Sequence, residues 1–306
     1  MPKENTHLFF ARKFAGGVKD REAEKIINAN LDYFYFGAVA PDIFFYGRNE
    51  TELKISAALH GKDGEPTNEI VFEMLDFAKE KRSEKDLAFT LGYLSHSVLD
   101  GIFHPVIIYL TGNIFSREKE IYRRANYAHR KWETSLDKAI NDSCYYSDLI
   151  KIEAAGKIRY ADLAAKKFSL PRERTVKLIK RQALINRLIR NWAVYYFISA
   201  LCRLGIYRRT EDLSLSYYNL KKGEEIIPAI IRYRDFISGE EKETSLEKLI
   251  GESAAKAEKV ISAAVGYYEG KIGKKELAAI IPGESMETGK INCPAKLIRF
   301  FADTAE

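Results

Sequence analysis

Between Lys85 and Pro105 the apolar residues Leu87, Leu91, Leu94, Val98, Leu99, Ile102 and Phe103 recur mostly at steps of three and four. An α-helix, at 3.6 residues per turn, returns that spacing to one face. Ser83, three residues before Asp86, supplies a capping-box-like start. Pro105 predicts an end to the helix close by, because its ring and missing N–H disrupt the turn before it. The same periodicity predicts helices over 20–31, 67–82, 117–141, 172–204, 222–237 and 244–271, and strand-like alternation is scarce. The expected fold class is all-α, a multi-helix bundle.

The bulk composition suits such a bundle. Hydrophobic residues make up 46% of the 306 and charged residues 30%, with 8 Pro and 19 Gly, so the chain has the apolar content for a packed core. Clusters at 47–49, 61–66 and 111–113 read as loops; no low-complexity stretch separates two halves and no internal repeat is visible. A net charge of +6 permits an anionic substrate or membrane surface without requiring one. Cys144, Cys202 and Cys293 are far apart and odd in number, which disfavours a disulfide framework and fits a reducing compartment. The first residues lack the features of a secretory signal and read as a mature N-terminus. The most apolar later stretch, Ala193 to Leu201 after Trp192, stops at Arg203, short of the roughly 20 residues that span a bilayer. A cytoplasmic protein is expected.

The chemistry is carried by histidines and carboxylates in the first half. His96, Asp100 and His104 stand at i, i+4 and i+8 of the helix above, so all three share one face. The helical rise separates the outer histidines by about 12 Å, too far for both to ligate one ion. A stripe that binds metal must therefore bind more than one ion, with Asp100 able to bridge. His129 and Glu133 form a second i, i+4 pair; His7 lies near the N-terminus, His60 in Leu-His-Gly-Lys-Asp-Gly, and Asp42 after Pro41 between apolar flanks. His7, His60 or His129 taken singly favours a hydrogen-bonded or exposed histidine and Asp42 a helix cap or turn, while the His129–Glu133 pair is evenly balanced between a ligand pair and a solvated glutamate. The stripe favours metal, because burying two imidazoles and a carboxylate beside Leu99 and Phe103 is costly unless they are paired or coordinated.

Taken together, Thr6-His7, Pro41-Asp42, His60-Gly61, the stripe from His96 to His104 and His129-Arg-Lys-Trp-Glu133 resemble the zinc-dependent phospholipase C family. The segments occur in that family's order over roughly residues 5 to 140, and every histidine of the chain falls on one. The resemblance implies an all-helical phospholipase C / single-strand nuclease-like fold with up to three zinc ions. It implies one zinc held by Asp42, His60 and His96, with Asp100 bridging to a second that His7 also ligates, and a third on His104, His129 and Glu133. Residues 1–142 would be the metal-binding part and 143–306 a helical continuation packed on it as one domain. One departure stands out: the secreted bacterial members also bind the second zinc through an N-terminal tryptophan, and here the terminus after loss of Met1 would be Pro2.

The implied activity is phosphoester hydrolysis by a metal-activated water, with Asp42 as general base and a phospholipid or other phosphodiester as substrate. Phe44, Phe45 and Tyr46 line a substrate pocket or, more simply, belong to the core. Peripheral membrane contact is compatible with Arg172, Arg174, Lys177, Lys180, Arg181, Arg187 and Arg190, although such a run is more commonly a solvated helix face. No specific nucleic-acid partner is expected. The alternatives are a single-strand nuclease-like phosphodiesterase, disfavoured by His-x-x-x-Glu where the nucleases have His-x-x-x-Asp, and a non-catalytic metal-binding protein.

Overall fold

The computed structural model describes residues 3–140, 145–152, 157–219 and 227–302; Pro2 and Cys144 lie outside them. Helices α1 (Glu4–Ala15), α2 (Arg21–Ala29), α3 (Leu31–Gly37), α4 (Glu50–Leu59), α5 (Asn68–Lys81), α6 (Glu84–Thr111) and α7 (Lys119–Ile140) build the first half, with a 3-10 turn at Pro41–Tyr46. Then come the short α8 (Tyr146–Leu149), α9 (Tyr160–Phe168), α10 (Arg172–Leu188) and α11 (Trp192–Arg203), and after them α12 (Leu246–Tyr268) and α13 (Lys274–Ile280). The all-helical expectation holds.

The centre is α6. Side chains from Leu87 to Thr111 are buried on every face, including all of Leu91 to His96, as expected of a helix enclosed by others. Ser83 starts it by accepting a hydrogen bond from the Asp86 amide at 3.3 Å, a cap of the kind worth about 1 kcal/mol. Helices α3, α5 and α12 pack around it, and one apolar cluster runs from Leu8 to Met286. The approach of α3 is set by two glycines. A Cβ on Gly37 would lie 2.0 Å from the Phe89 carbonyl oxygen, and one on Gly92 would lie 2.0 Å from that of Phe34, so the two backbones touch.

Three sequence expectations need correction. Helix α6 does not end near Pro105 but runs on to Thr111. Pro105 cannot bond the carbonyl of Gly101, yet that oxygen is covered by Gly289, where a Cβ would sit 2.2 Å from it, so the helix tolerates the proline. The single helix expected over 172–204 is two, because Asn191 starts α11 by accepting from the amides of Ala193 (2.9 Å) and Val194 (3.3 Å). Within the stretch expected as a helix over 222–237, residues 222–226 lie outside the described ones, and Ile231–Arg234 is a strand (β1) paired antiparallel with Glu241–Thr244 (β2). The turn chemistry overrides the periodicity there: the Asp235 carboxylate accepts from the amides of Ile237 and Ser238, and Gly239 takes a φ of 78°. Cross-strand pairs Arg232–Glu243 and Arg234–Glu241 lie at 2.8 and 2.9 Å.

Candidate metal centre

Five separate elements deliver the eight residues singled out above. His7 sits in the first turn of α1 and Asp42 in the 3-10 turn, while His60 is the C-terminal cap of α4. His96, Asp100 and His104 come from α6, and His129 and Glu133 from α7. All eight are buried.

Asp42, His60, His96 and Asp100 form one group whose potential ligand atoms lie within 4.8 Å of one another. Asp42 Oδ1 is 3.2 Å from His60 Nε2 and 3.6 Å from His96 Nε2. Asp100 Oδ2 is 3.1 Å from His96 Nε2 and 3.7 Å from His60 Nε2, and its other oxygen faces His7 Nε2 at 3.2 Å. The two carboxylate oxygens thus point to different histidines, as a bridge requires. The His7 ring stacks on that of His96 with centroids 3.7 Å apart. His104, His129 and Glu133 form a second group, with His129 Nε2 3.1 Å from Glu133 Oε1.

Hydrogen bonds fix which nitrogen of each ring faces inward. The Nδ1–H groups of His60 and His96 donate to the Ser56 and Ala38 carbonyls, both at 2.8 Å, and that of His104 to the Met286 carbonyl at 2.8 Å. His129 Nδ1 meets the Thr111 hydroxyl at 3.2 Å. Such contacts place the lone pair on Nε2, the arrangement typical of metal-ligating imidazoles. Farther out, the Asp137 carboxylate accepts from the Thr6 amide at 2.8 Å and the Tyr217 hydroxyl at 2.6 Å, tying α1 beside His7 to α7.

The buried groups shift one another in both directions: against the effect of its burial, Asp100 and Asp42 raise His96 above the usual imidazole range. Burial pushes His7 down to about 4 and holds His104 well below the usual imidazole range, so both are in the neutral, ligating form at pH 7. Burial also raises Asp42 well above the usual carboxylate range. Asp100, buried too, is nonetheless held low by the histidines His96, His104 and His7 around it. Among the described residues, His96 Nε2, His104 Nε2, both nitrogens of His7 and both oxygens of Asp100 are fully enclosed without a partner in hydrogen-bond geometry. Enclosed groups of that kind cost about 1–3 kcal/mol each when left unsatisfied, and metal ions would satisfy several at once. The donor set, imidazole nitrogen with carboxylate oxygen, is the one zinc takes.

Beyond these eight residues lies a part of the site that sequence reasoning missed. The loop after α13 crosses both groups: the Met286 amide donates to the His60 carbonyl at 2.9 Å, the Met286 carbonyl orients His104, and Glu287 Oε2 stands 3.5 Å from His104 Nδ1. Glu287 is buried, which raises its carboxyl above the usual range. The one sequence signal there is a carboxylate in a short segment bounded by glycines, Gly283 and Gly289, at φ of 81° and 62°. Of the aromatic run, Phe44 is core and Tyr46 hydrogen-bonds Glu4, whereas Phe45 is 38% exposed with its ring centroid 4.9 Å from that of His60.

Searches of curated proteins and of solved structures gave no match. The family described as zinc dependent phospholipase C does match, over residues 6–201, a stretch that contains all eight residues above but not the loop around Glu287. Since that match covers well over half of the sequence, the chain belongs to the zinc-dependent phospholipase C family.

Proposed function

We propose that this protein is a zinc-dependent phosphoester hydrolase that cleaves a phosphodiester of phospholipid type. The observation that carries the reading is the convergence of buried imidazole nitrogens and carboxylate oxygens in two groups, in each of which the potential ligand atoms lie within 4.8 Å of one another. Family membership adds the expectation of zinc and of a phospholipid-like substrate.

In this proposal Asp42, His60, His96 and Asp100 hold one zinc, Asp100 and His7 a second, and His104, His129 and Glu133 a third. When bound, zinc supplies a water acidified towards a pKa of about 7 and neutralises charge on the phosphoryl oxygens. Asp42 meets the histidines through Oδ1, so the general-base role is assigned to Oδ2. Asp100 would serve both neighbouring positions, since its two oxygens lie 3.1 Å from His96 Nε2 and 3.2 Å from His7 Nε2. The Nδ1 hydrogen bonds of His60, His96 and His104 hold the rings in place, which limits reorganisation during turnover. Phe45 forms an apolar rim beside His60, suited to an acyl or headgroup methyl surface. Residues 143–306 complete the same folded unit, and the free thiols of Cys202 and Cys293 support action in a reducing, cytoplasmic setting.

The test assays zinc-loaded protein against phosphatidylcholine, a soluble phosphodiester and single-stranded DNA, with metal content measured in parallel. Release of a phosphorylated headgroup from the lipid is the expected result. Cleavage of DNA in preference to lipid assigns the site to the nuclease branch, and a metal-replete protein inert on all three substrates overturns the hydrolase reading.

A further inference from the structure

Helix α11 lies on the surface with an apolar face that nothing among the described residues covers. None of its twelve residues is buried. Trp192, Tyr196 and Phe197 are 61–63% exposed, and the apolar side continues through Leu204 and Ile206, 72% and 68% exposed. Residues of this size on a soluble surface normally occur singly, and a contiguous run marks a contact surface. No helix among the described residues is long and apolar enough to cross a membrane, so the run is not a transmembrane segment.

The charge along the segment is basic, and the acidic Glu211 and Asp212 only follow it. From Leu184 to Arg209 the sequence has five arginines and no Asp or Glu. Arg187, Arg190, Asn191 and Trp192 together with Ser147 line an open cleft at the start of α11. Arg190 is held there by Ser147 at 3.1 Å and by the face of Tyr145. The amides of Ala193 and Val194 at the helix start are already taken by Asn191, so an anion in the cleft would meet side-chain donors, of which the two arginines carry the charge. Exposed Trp and Tyr beside arginine match the headgroup region of a bilayer, where the rings sit at the interface and the guanidinium groups meet lipid phosphates. A second copy fits poorly, because a two-fold contact through this face would set arginine against arginine.

We infer that α11, with the arginine-lined cleft at its start, is a docking surface for a bilayer carrying anionic phospholipid. A run of contacts joins the surface to the helix that carries part of the candidate metal centre. Helix α11 packs on residues 210–219, where Ser214 accepts from Thr134 at 2.7 Å and Asp212 pairs with Arg130 at 2.9 Å. Both partners lie on α7, the helix of His129 and Glu133. The use of this surface in lipid hydrolysis rests on the function proposed above, whereas the binding itself does not.

The experiment follows partition of the full chain, with and without chelator, onto vesicles of phosphatidylcholine alone or mixed with phosphatidylglycerol. Trp192 is its own reporter, since the other tryptophan, Trp132, is buried. The expected result is sedimentation with the anionic vesicles, a blue shift of Trp192 emission, and weak association with the neutral ones. Replacing Arg187→Gln together with Arg203→Gln should weaken partition about twentyfold, and Trp192→Ser with Phe197→Ser at least tenfold. All four side chains are exposed, so thermal midpoints and hydrolysis of a soluble diester should not change. Absence of partition, variants that bind like the parent, or a dimer that Trp192→Ser with Phe197→Ser dissolves would each overturn the inference. Vesicle binding without lipid hydrolysis would leave it standing and break the proposed function instead.

Discussion

Around Asp42, His60, His96 and Asp100 the rings are oriented by backbone carbonyls of the first sixty residues: Ser56, one turn before His60, and Ala38, which reaches His96 from the end of α3. Around His104, His129 and Glu133 the orienting groups are the Thr111 hydroxyl and a carbonyl at Met286, the latter far outside the family-matched stretch 6–201. The rings of the first group are thus aimed by α3 and α4 in the first half of the chain, whereas a ring of the second is aimed by a loop from its last part, which touches the first group only through the His60 carbonyl. Two sites of similar donor chemistry differ in what would loosen them.

The largest effect belongs to the residue the first group shares with His7. Asp100→Asn removes one ligating charge at two positions, and we expect turnover to fall on the order of a thousandfold or more with reduced zinc content; full zinc content and near-normal turnover would refute the bridging role. Next, Gly289→Ala forces a Cβ to within 2.2 Å of the Gly101 carbonyl oxygen at a φ of 62°. The loop must move, and chelator competition should show one class of metal site weakened by about 10–100-fold and another, touched by the loop only through the His60 carbonyl, weakened less. Equal weakening of all sites would erase the distinction between the groups.

Thr111→Val probes the same group more gently. It deletes the hydroxyl facing His129 Nδ1 and should weaken metal there by about tenfold, while Ser56→Ala, which leaves the carbonyl that orients His60, should not change affinity. A reversed ranking of the two variants in the competition assay would count against the hydrogen-bond argument. The smallest effect concerns the anchor of the loop. Asp235 binds Lys290 at 2.9 and 3.1 Å; burial would raise its carboxyl, but the Ser238 and Ile237 amides and Lys290 outweigh that and hold it well below the usual range. Its stabilising contribution is therefore present above about pH 4, the unfolded carboxylate value, and is lost as pH falls towards the lower folded value. In urea titrations of metal-free protein, Asp235→Asn should flatten that acid decline by on the order of 1 kcal/mol after allowing for solvent screening; an unchanged slope would place the anchor elsewhere.

The ligands were legible because helical spacing and residue chemistry are both written locally. Steps of four put His96, Asp100 and His104 on one face, and burial among Leu99 and Phe103 made a bland role expensive. What was not legible depends on distant parts meeting. Pro105 reads as a stop until Gly289, far along the chain, covers the carbonyl it leaves unbonded. Glu287 carries no signal of its own, since a carboxylate between glycines is ordinary in a turn and only the folded loop sets it beside His104. The break at Asn191 and the Asp235 turn were misread for a simpler reason: helical periodicity was given more weight than capping and turn chemistry.

The contact between Gly37 and Gly92 has a consequence for how metal enters. Nothing but main chain separates α3 from α6 there, and the next residue, Ala38, supplies the carbonyl that aims His96. A joint with no side chains to rearrange has one resting distance. The distance from Ala38 to His96 is accordingly set by main chain alone, so stripping zinc and restoring it should leave the helical circular dichroism unchanged, an exchange within a standing frame and not a cycle of unfolding and refolding.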